Sequence, residues 1–204
     1  MSTPTTPSIA CLGVIGRNNN PLHISIFPSY DATTSSLRPV RTPLQFSLLL
    51  SSTLDVFELR SRQHVAQGTG LTGDFGLLHA VDERLAAYGF ETNTGVKFVV
   101  VVDMRGRRGD AGKGGQGGAG GGGIGGGGGA GGGKGGGVGL REGEMRVVFK
   151  AMQQAWIRLM QNPFFDPDEY DGQGGGKGKK IVSGRFEGEM RRIGEGWGVG
   201  VGVL

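Results

Sequence analysis

The sequence predicts an α/β (α+β) chain in which helices cover both faces of a five-stranded antiparallel sheet. The first observation is residues 96–103, VKFVVVVD, where the valines at 99–102 do not alternate with polar residues. A short apolar run of β-branched residues bounded by turn residues is typical of a strand buried on both faces. The second observation is residues 141–161, whose apolar side chains follow the i, i+3, i+4, i+7 spacing of an amphipathic helix. The strand needs a layer on each face, and this helix supplies one of them.

Two strands open the chain. Ser8–Gly16 is mostly apolar, and residues 22–27 alternate between apolar and more polar side chains. The turn formers RNNNP at 17–21 lie between them and predict an antiparallel hairpin. Residues 28–41 are rich in Ser, Thr and Pro and predict a polar loop.

The first helix is predicted from Pro43 to about Gln63. Thr42 and Gln45 form a capping-box sequence, and proline at the first helical position costs no hydrogen bond. At 100° per residue one stripe comprises Phe46, Leu50, Thr53, Leu54 and Phe57. A second stripe on nearly the opposite side comprises Leu44, Leu48, Asp55 and Leu59.

The second stripe needs an explanation, because a helix that covers a sheet requires only one apolar stripe. Exposed apolar patches rimmed by charge often mark partner surfaces. We therefore predict that Leu44, Leu48, Asp55 and Leu59 form a partner interface. The alternative for Asp55 is a solvated carboxylate on a helix face, with or without a nearby arginine as its partner.

The middle of the chain predicts a three-stranded meander followed by an insert. The strands are Phe75–Val81, Leu85–Thr92 and Val96–Asp103, joined by short turns. Residues 105–139 follow, and residues 109–139 alone hold 22 of the 44 glycines. So few apolar groups cannot offset the entropy of ordering the segment, so we expect a flexible coil.

The last part predicts two helices. Asn162-Pro163 ends the helix over 141–161, because proline disfavours α geometry in the residue before it. A Gly/Lys loop at 172–180 leads to a glycine-diluted helix near 183–196. We predict one domain over residues 8–197, interrupted by the insert and this loop, between a disordered N-terminus (1–7) and a frayed tail (198–204).

Charge and composition exclude several classes of protein. Residues 104–140 carry five basic residues and one acidic residue, the whole net charge of +4, and the remainder is balanced at 17 of each. The basicity therefore belongs to the insert and predicts no nucleic-acid partner. Cys11 is the only cysteine, residues 1–8 lack the charged start of a signal peptide, and Ile9–Ile15 is too short to span a bilayer. These features predict a cytoplasmic protein.

The sequence motifs that suggest ligand binding each lack a residue or a spacing that the motif requires. A phosphate loop needs Ser or Thr after its lysine, and glycine follows both Lys113 and Lys134. Asp166, Asp168 and Asp171 begin like a calcium loop, but the third ligand position is Tyr170 and no closing Glu follows. The histidines, His23, His64 and His79, have no metal-ligand spacing. Cys11 lies in an apolar strand and is interpreted as a core residue. We predict no catalytic, cofactor-binding or metal-binding residue, and not an enzyme.

Asn162-Pro163-Phe164 also matches a short peptide ligand of some endocytic adaptor domains. Three residues match often by chance. A helix end whose aromatic residues pack back explains them as well, and we favour that structural interpretation.

Four segments resemble the sedlin family of small subunits of TRAPP, the transport protein particle. They are NPLHI at 20–24, STLDV at 52–56, TNTGVKF at 92–98 with the strand after it, and NPFF at 162–165 with Pro167. The resemblance covers about residues 8–103 and 140–195. The chain resembles the sedlin-like member of the family more closely than sedlin itself. It implies a longin/SNARE-like fold with one helix on one face of the sheet and two on the other. The family's aspartate in helix one is matched by Asp55, whose implied role is a subunit contact.

The resemblance implies a non-catalytic adaptor of the TRAPP II type in a complex that tethers vesicles and drives nucleotide exchange on Rab GTPases. Its implied partners are the small core subunits and large TRAPP II subunits, with Rab contact only indirect, at Golgi and ER–Golgi membranes. An alternative is a longin module of a coat adaptor or a SNARE regulator. A small-ligand-binding or enzymatic domain is a further alternative, for which the sequence offers no polar cluster.

Overall fold

A computed structural model describes residues 5–66, 73–108, 142–166 and 180–198 of the chain. Within these ranges the strands are β1 (Thr5–Ile15), β2 (Pro21–Ile26), β3 (Ser29–Asp31), β4 (Ser36–Arg38), β5 (Asp74–Ala80), β6 (Leu85–Glu91) and β7 (Lys97–Arg108). The helices are α1 (Pro43–Ala66), α2 (Glu142–Met160) and α3 (Gly184–Gly196). The predicted strands and helices are all present, with boundaries that differ by a few residues.

Five strands form one antiparallel sheet in the order β2-β1-β7-β6-β5. β7 lies at its centre, which explains why the strand predicted from the valine run is buried on both faces. Val99 and Val101 pack with the buried residues of α1, whereas Val100 and Val102 pack with those of α2 and α3. The predicted fold, with one helix on one face and two on the other, is confirmed.

The ends of two strands extend beyond the predicted boundaries. Thr5 and Thr6 pair with Arg108 and Arg107, so residues 5–7, predicted to be disordered, belong to β1. For the same reason β7 continues to Arg108 and takes the first four residues of the predicted coil into the sheet. The rest of the insert, 109–139, lies outside the described residues, as do 172–179 of the Gly/Lys loop and the tail from 199. The predicted division into one domain with two inserts stays a prediction.

The segment predicted as a polar loop contains a small hairpin, β3–β4, so that prediction is wrong for residues 29–38. The Asp31 carboxylate organises the hairpin, because it accepts hydrogen bonds from the Thr33 hydroxyl and backbone N–H and from the Thr34 hydroxyl, and pairs with Arg38. These hydrogen bonds hold the pKa of the Asp31 carboxyl below its usual range, and those from Thr33 have the largest effect. A hairpin held by polar side chains needs no alternation of apolar and polar residues, so the sequence pattern did not predict these two strands.

The helix ends follow their capping residues. At the start of α1 the Thr42 N–H donates to Gln45 Oε1 at 2.9 Å, and the Gln45 N–H donates to Thr42 Oγ1 at 3.3 Å. This is the predicted capping box. At the start of α3 the Ser183 hydroxyl accepts from the Phe186 N–H. The glycine-diluted α3 nevertheless buries its apolar stripe, Phe186, Met190, Ile193 and Trp197.

Candidate functional site

The inner face of α1 packs on the sheet as predicted. Phe46, Leu50 and Phe57 are buried, and the Thr53 hydroxyl donates to the Leu50 carbonyl at 2.7 Å. Gly13 of β1 lies directly beneath, since a Cβ at that position would approach the Leu50 methyl groups to 2.7 Å. The glycine therefore lets this helix lie close to the sheet.

The outer face of α1 carries the predicted interface residues. Leu44, Leu48 and Leu59 are 69%, 62% and 59% exposed, and Asp55 is exposed as well. At 100° per residue the four positions fall within an arc of about 60° and span about 22 Å along the helix axis. We call Leu44, Leu48, Asp55 and Leu59 the outer stripe. The structure brings the four together on the side of α1 that points away from the sheet.

Asp55 has no hydrogen-bond or ion-pair partner within the described part of the chain. An arginine partner for Asp55 is therefore not observed there. The exposed carboxylate fits both the predicted interface and the alternative of a solvated helix face, so the interface stays a prediction. The arginines one to two turns further on are engaged elsewhere, because Arg60 donates to the Phe75 carbonyl and Arg62 pairs with Glu58. The carboxylate is thus an unused acceptor between exposed leucines and can receive a cationic or N–H donor from outside.

A buried ion pair was not predicted. The Asp103 carboxylate, fully buried at the end of the apolar part of β7, accepts two 2.8 Å hydrogen bonds from Arg84, one from Nε and one from Nη2. Arg84 Nη2 also donates to the Tyr30 carbonyl, which joins the β5–β6 turn to β3. The hydrogen bonds to Asp103 raise the pKa of the Arg84 guanidinium. An acidic residue directly after an all-apolar strand was the available signal, and the pair is structural because its hydrogen bonds join the β5–β6 turn to β7 and β3.

The titratable residues weighed in the sequence are scattered. His23 Nε2 lies 2.7 Å from Ser25 Oγ, its ring meets Phe186 edge-on, and burial lowers its pKa. His79 is exposed on β5, and the side chain of His64 lies outside the described residues. Burial raises the pKa of the Cys11 thiol, which makes it a poor nucleophile. No three His, Cys, Asp or Glu side chains in the described ranges are grouped so that they could hold a metal ion.

A cleft of about 540 Å³ lies between α2 and the β1–β2 and β6–β7 turns. Its walls include Trp156, Ile157, Met160 and the turn residues 92–94, and Arg17 is the one titratable residue of its described lining. General acid–base catalysis needs a positioned proton acceptor and donor. This lining offers no such pair.

Asn162-Pro163-Phe164 follows the end of α2. Phe165 packs edge-on against Trp156, with ring centroids 6.0 Å apart, as the structural interpretation predicts. Phe164 is 93% exposed, so the expectation that both aromatic residues pack back is wrong for Phe164. Asp166 is described, whereas Asp168 and Asp171 of the rejected calcium motif, and both lysines of the rejected phosphate loops, lie outside the described residues.

Comparison with known proteins gives one consistent result. The family model described as Sedlin matches residues 14–195. The "Trafficking protein particle complex subunit 2-like protein" of Bos taurus is 25% identical over 182 residues, which cover 87% of this chain and 91% of the relative. The proteins of the same name from Mus musculus and Dictyostelium discoideum are 24% and 21% identical, each covering 78% of this chain and 84% of the relative. No helix of the described residues is long and apolar enough to cross a membrane.

Proposed function

Because the chain belongs to the Sedlin family, we propose that it is a non-catalytic adaptor subunit of a trafficking protein particle. The relatives carry that complex in their names and align with nearly their whole length, so the proposal concerns the complete fold and not a shared fragment. In this role the protein acts by binding other subunits and needs no substrate.

The outer stripe of α1 is the observation that supports the proposal best. Three leucines, each more than half exposed, cost free energy in water that burial against a partner recovers at roughly 25 cal/mol per Å². Asp55 adds specificity to the contact, since a carboxylate that loses its water when the leucines are buried needs a donor from the partner in exchange. Large apolar anchors around a specific polar contact are typical of energetically important parts of interfaces.

The finer assignment rests on the family. We propose that the assembly is of the TRAPP II type, that the neighbours of this subunit are small core subunits and large TRAPP II subunits, and that Rab GTPases are reached only through the complex. Nucleotide exchange then belongs to the assembly, and the chain is cytoplasmic and peripheral at Golgi and ER–Golgi membranes.

Purification of the tagged protein from its own cells, with mass spectrometry of the proteins that co-purify, tests this proposal. We expect the small and large particle subunits to co-purify with the unaltered chain, and Leu48→Glu to reduce their recovery at least tenfold. Leu37→Glu is the matched control, because Leu37 is 66% exposed on β4 and lines a cleft with Gly194 and Glu195 of α3. Equal recovery with Leu48→Glu and with the unaltered chain would refute the outer stripe as the interface.

Two alternatives predict other outcomes. A longin module of a coat adaptor or SNARE regulator would recover coat proteins or SNAREs, which leaves the fold unchanged and refutes the function. A small-ligand-binding or enzymatic domain would recover no partner, and the cleft between α2 and the β6–β7 turn would then be the place to seek a ligand by thermal-shift screening.

A further inference from the structure

Phe164 is exposed in a way that the core cannot explain. All ten phenylalanines of the chain lie in described residues, and the other nine are buried or half-buried. Phe164 alone is 93% exposed, at a site where its neighbour Phe165 already fills the space against Trp156. The aromatic ring therefore contributes nothing to the end of α2, and a fully exposed phenylalanine ring is unfavourable in water.

The backbone around Phe164 forms a closed turn. The Phe165 N–H donates to the Asn162 carbonyl at 3.0 Å, which closes a β-turn over residues 162–165. Asn162 Oδ1 accepts a hydrogen bond from the Phe164 N–H at 3.2 Å, so the asparagine side chain stabilises the turn. Pro163 occupies the second position, where its fixed φ is favoured.

The backbone geometry excludes two turn types. Type II needs a positive φ at the third position, and the positive-φ non-glycine residues of the described chain are Asn19 and Ser35. A type VI turn needs a cis proline, and the described residues contain no cis peptide bond. Asparagine at the first position and proline at the second are the residues that a type I turn favours there.

The turn is also held firmly in place. The Asn162 N–H donates to the Leu159 carbonyl at 3.0 Å, which continues directly from α2, and Phe165 packs on the buried Trp156. A ligand already ordered in its bound shape loses less conformational entropy on binding. The structure thus presents a rigid turn with a single aromatic side chain projecting into solvent.

We propose that residues 162–164 are a binding determinant for an adaptor domain of the class that recognises Asn-Pro-Phe peptides, with the Phe164 ring filling an apolar pocket of that domain. This goes beyond the subunit contact on α1, because the turn follows α2, on the opposite side of the sheet from α1. The two surfaces can be occupied together, so the subunit would connect its particle to the adaptor.

A binding measurement between the purified full chain and an isolated Asn-Pro-Phe-binding domain, by calorimetry or fluorescence anisotropy, tests the proposal. We expect saturable binding that Phe164→Ala weakens at least tenfold, and weaker binding of a linear peptide of residues 159–166 than of the intact chain. Val182→Ala is the matched control, since Val182 is 92% exposed and should leave binding unchanged. Thermal melts of both variants should match the unaltered chain, because neither side chain is packed.

Absence of binding, or equal binding by Phe164→Ala, would overturn the proposal. A melting temperature lowered by Phe164→Ala as much as by a core substitution would also overturn it, since the ring would then be structural. Tighter binding of the linear peptide than of the intact chain would show that the turn hinders recognition and would refute the preorganised site.

Discussion

Substitution of Gly194 by alanine should destabilise the protein, although alanine is the better helix former. Gly194 lies in α3 where the helix crosses the Phe27 ring, and a Cβ there would approach three ring carbons to 2.1–2.5 Å. Overpacking of this kind costs about 1–3 kcal/mol, and exchange of a helical glycine for alanine recovers about 0.5–1 kcal/mol. An approach of 2.1 Å lies at the severe end of this overpacking range, at about 2–3 kcal/mol. We therefore expect a net loss of about 1–2.5 kcal/mol in the free energy of unfolding, which lowers the melting temperature by about 2–10 °C in a chain of this size.

Gly188 supplies the matched control within the same helix. A Cβ at Gly188 meets nothing within 4 Å, so Gly188→Ala keeps only the favourable helix term. Urea unfolding followed by circular dichroism should show stabilisation by about 0.5–1 kcal/mol for Gly188→Ala and destabilisation for Gly194→Ala. Stabilisation of similar size by both substitutions would refute the close packing of α3 against Phe27.

Three further predictions concern the buried pair, the histidine and the helix cap. Arg84→Ala should lower the free energy of unfolding by about 3–5 kcal/mol, because it leaves the Asp103 carboxylate buried without its cation. Asp103→Asn should lower it less, because the partly exposed guanidinium can turn to water. The reverse order in urea unfolding would contradict this account. Burial lowers the pKa of His23 in the folded protein, so the unfolded state binds the extra proton below the unperturbed value of about 6.5, and stability falls as the pH falls. His23→Gln should flatten this dependence of stability on pH between about pH 7.5 and 5.5. An unchanged slope would exclude His23 as its source. Thr42→Ala should cost about 1 kcal/mol through loss of the capping box at α1, whereas a neutral effect on the melting temperature would show that the cap contributes nothing.

Asp55→Tyr distinguishes the interface from a structural role. Asp55 is exposed and has no described partner, so the variant should keep its melting temperature while losing particle subunits in co-purification. A variant that melts several degrees lower and still assembles would show that Asp55 is structural.

Local signals in the sequence were sufficient to predict most of the fold. The Thr42–Gln45 capping box identified the start of α1, and the valine run identified a strand covered on both faces, because both depend on neighbouring residues alone. Long-range pairing was not predictable in the same way. The extension of β7 to Arg108 depends on Thr5 and Thr6, about a hundred residues earlier, and its composition resembled the glycine-rich insert.

The candidate site likewise has features that the local sequence predicts and features that depend on the folded structure. The outer stripe could be predicted because α1 has two apolar stripes and the sheet can cover only one. The solvent exposure of Phe164 could not, because the sequence FF does not show which ring packs on Trp156. The Arg84–Asp103 pair likewise joins two residues whose proximity follows from the β6–β7 register, which pairs Leu85 with Asp103.

The most direct test of the central claim is site-specific photo-crosslinking in cells, with a benzophenone amino acid at position 48 of the outer stripe and, separately, at position 37 of β4. Both positions are similarly exposed in the isolated chain, at 62% and 66%. If α1 binds a neighbouring subunit, the probe at position 48 gives a discrete crosslink to a trafficking-particle subunit and the probe at position 37 does not. No crosslink from position 48 to any particle subunit, with the tagged chain still in the particle, would contradict the proposed interface.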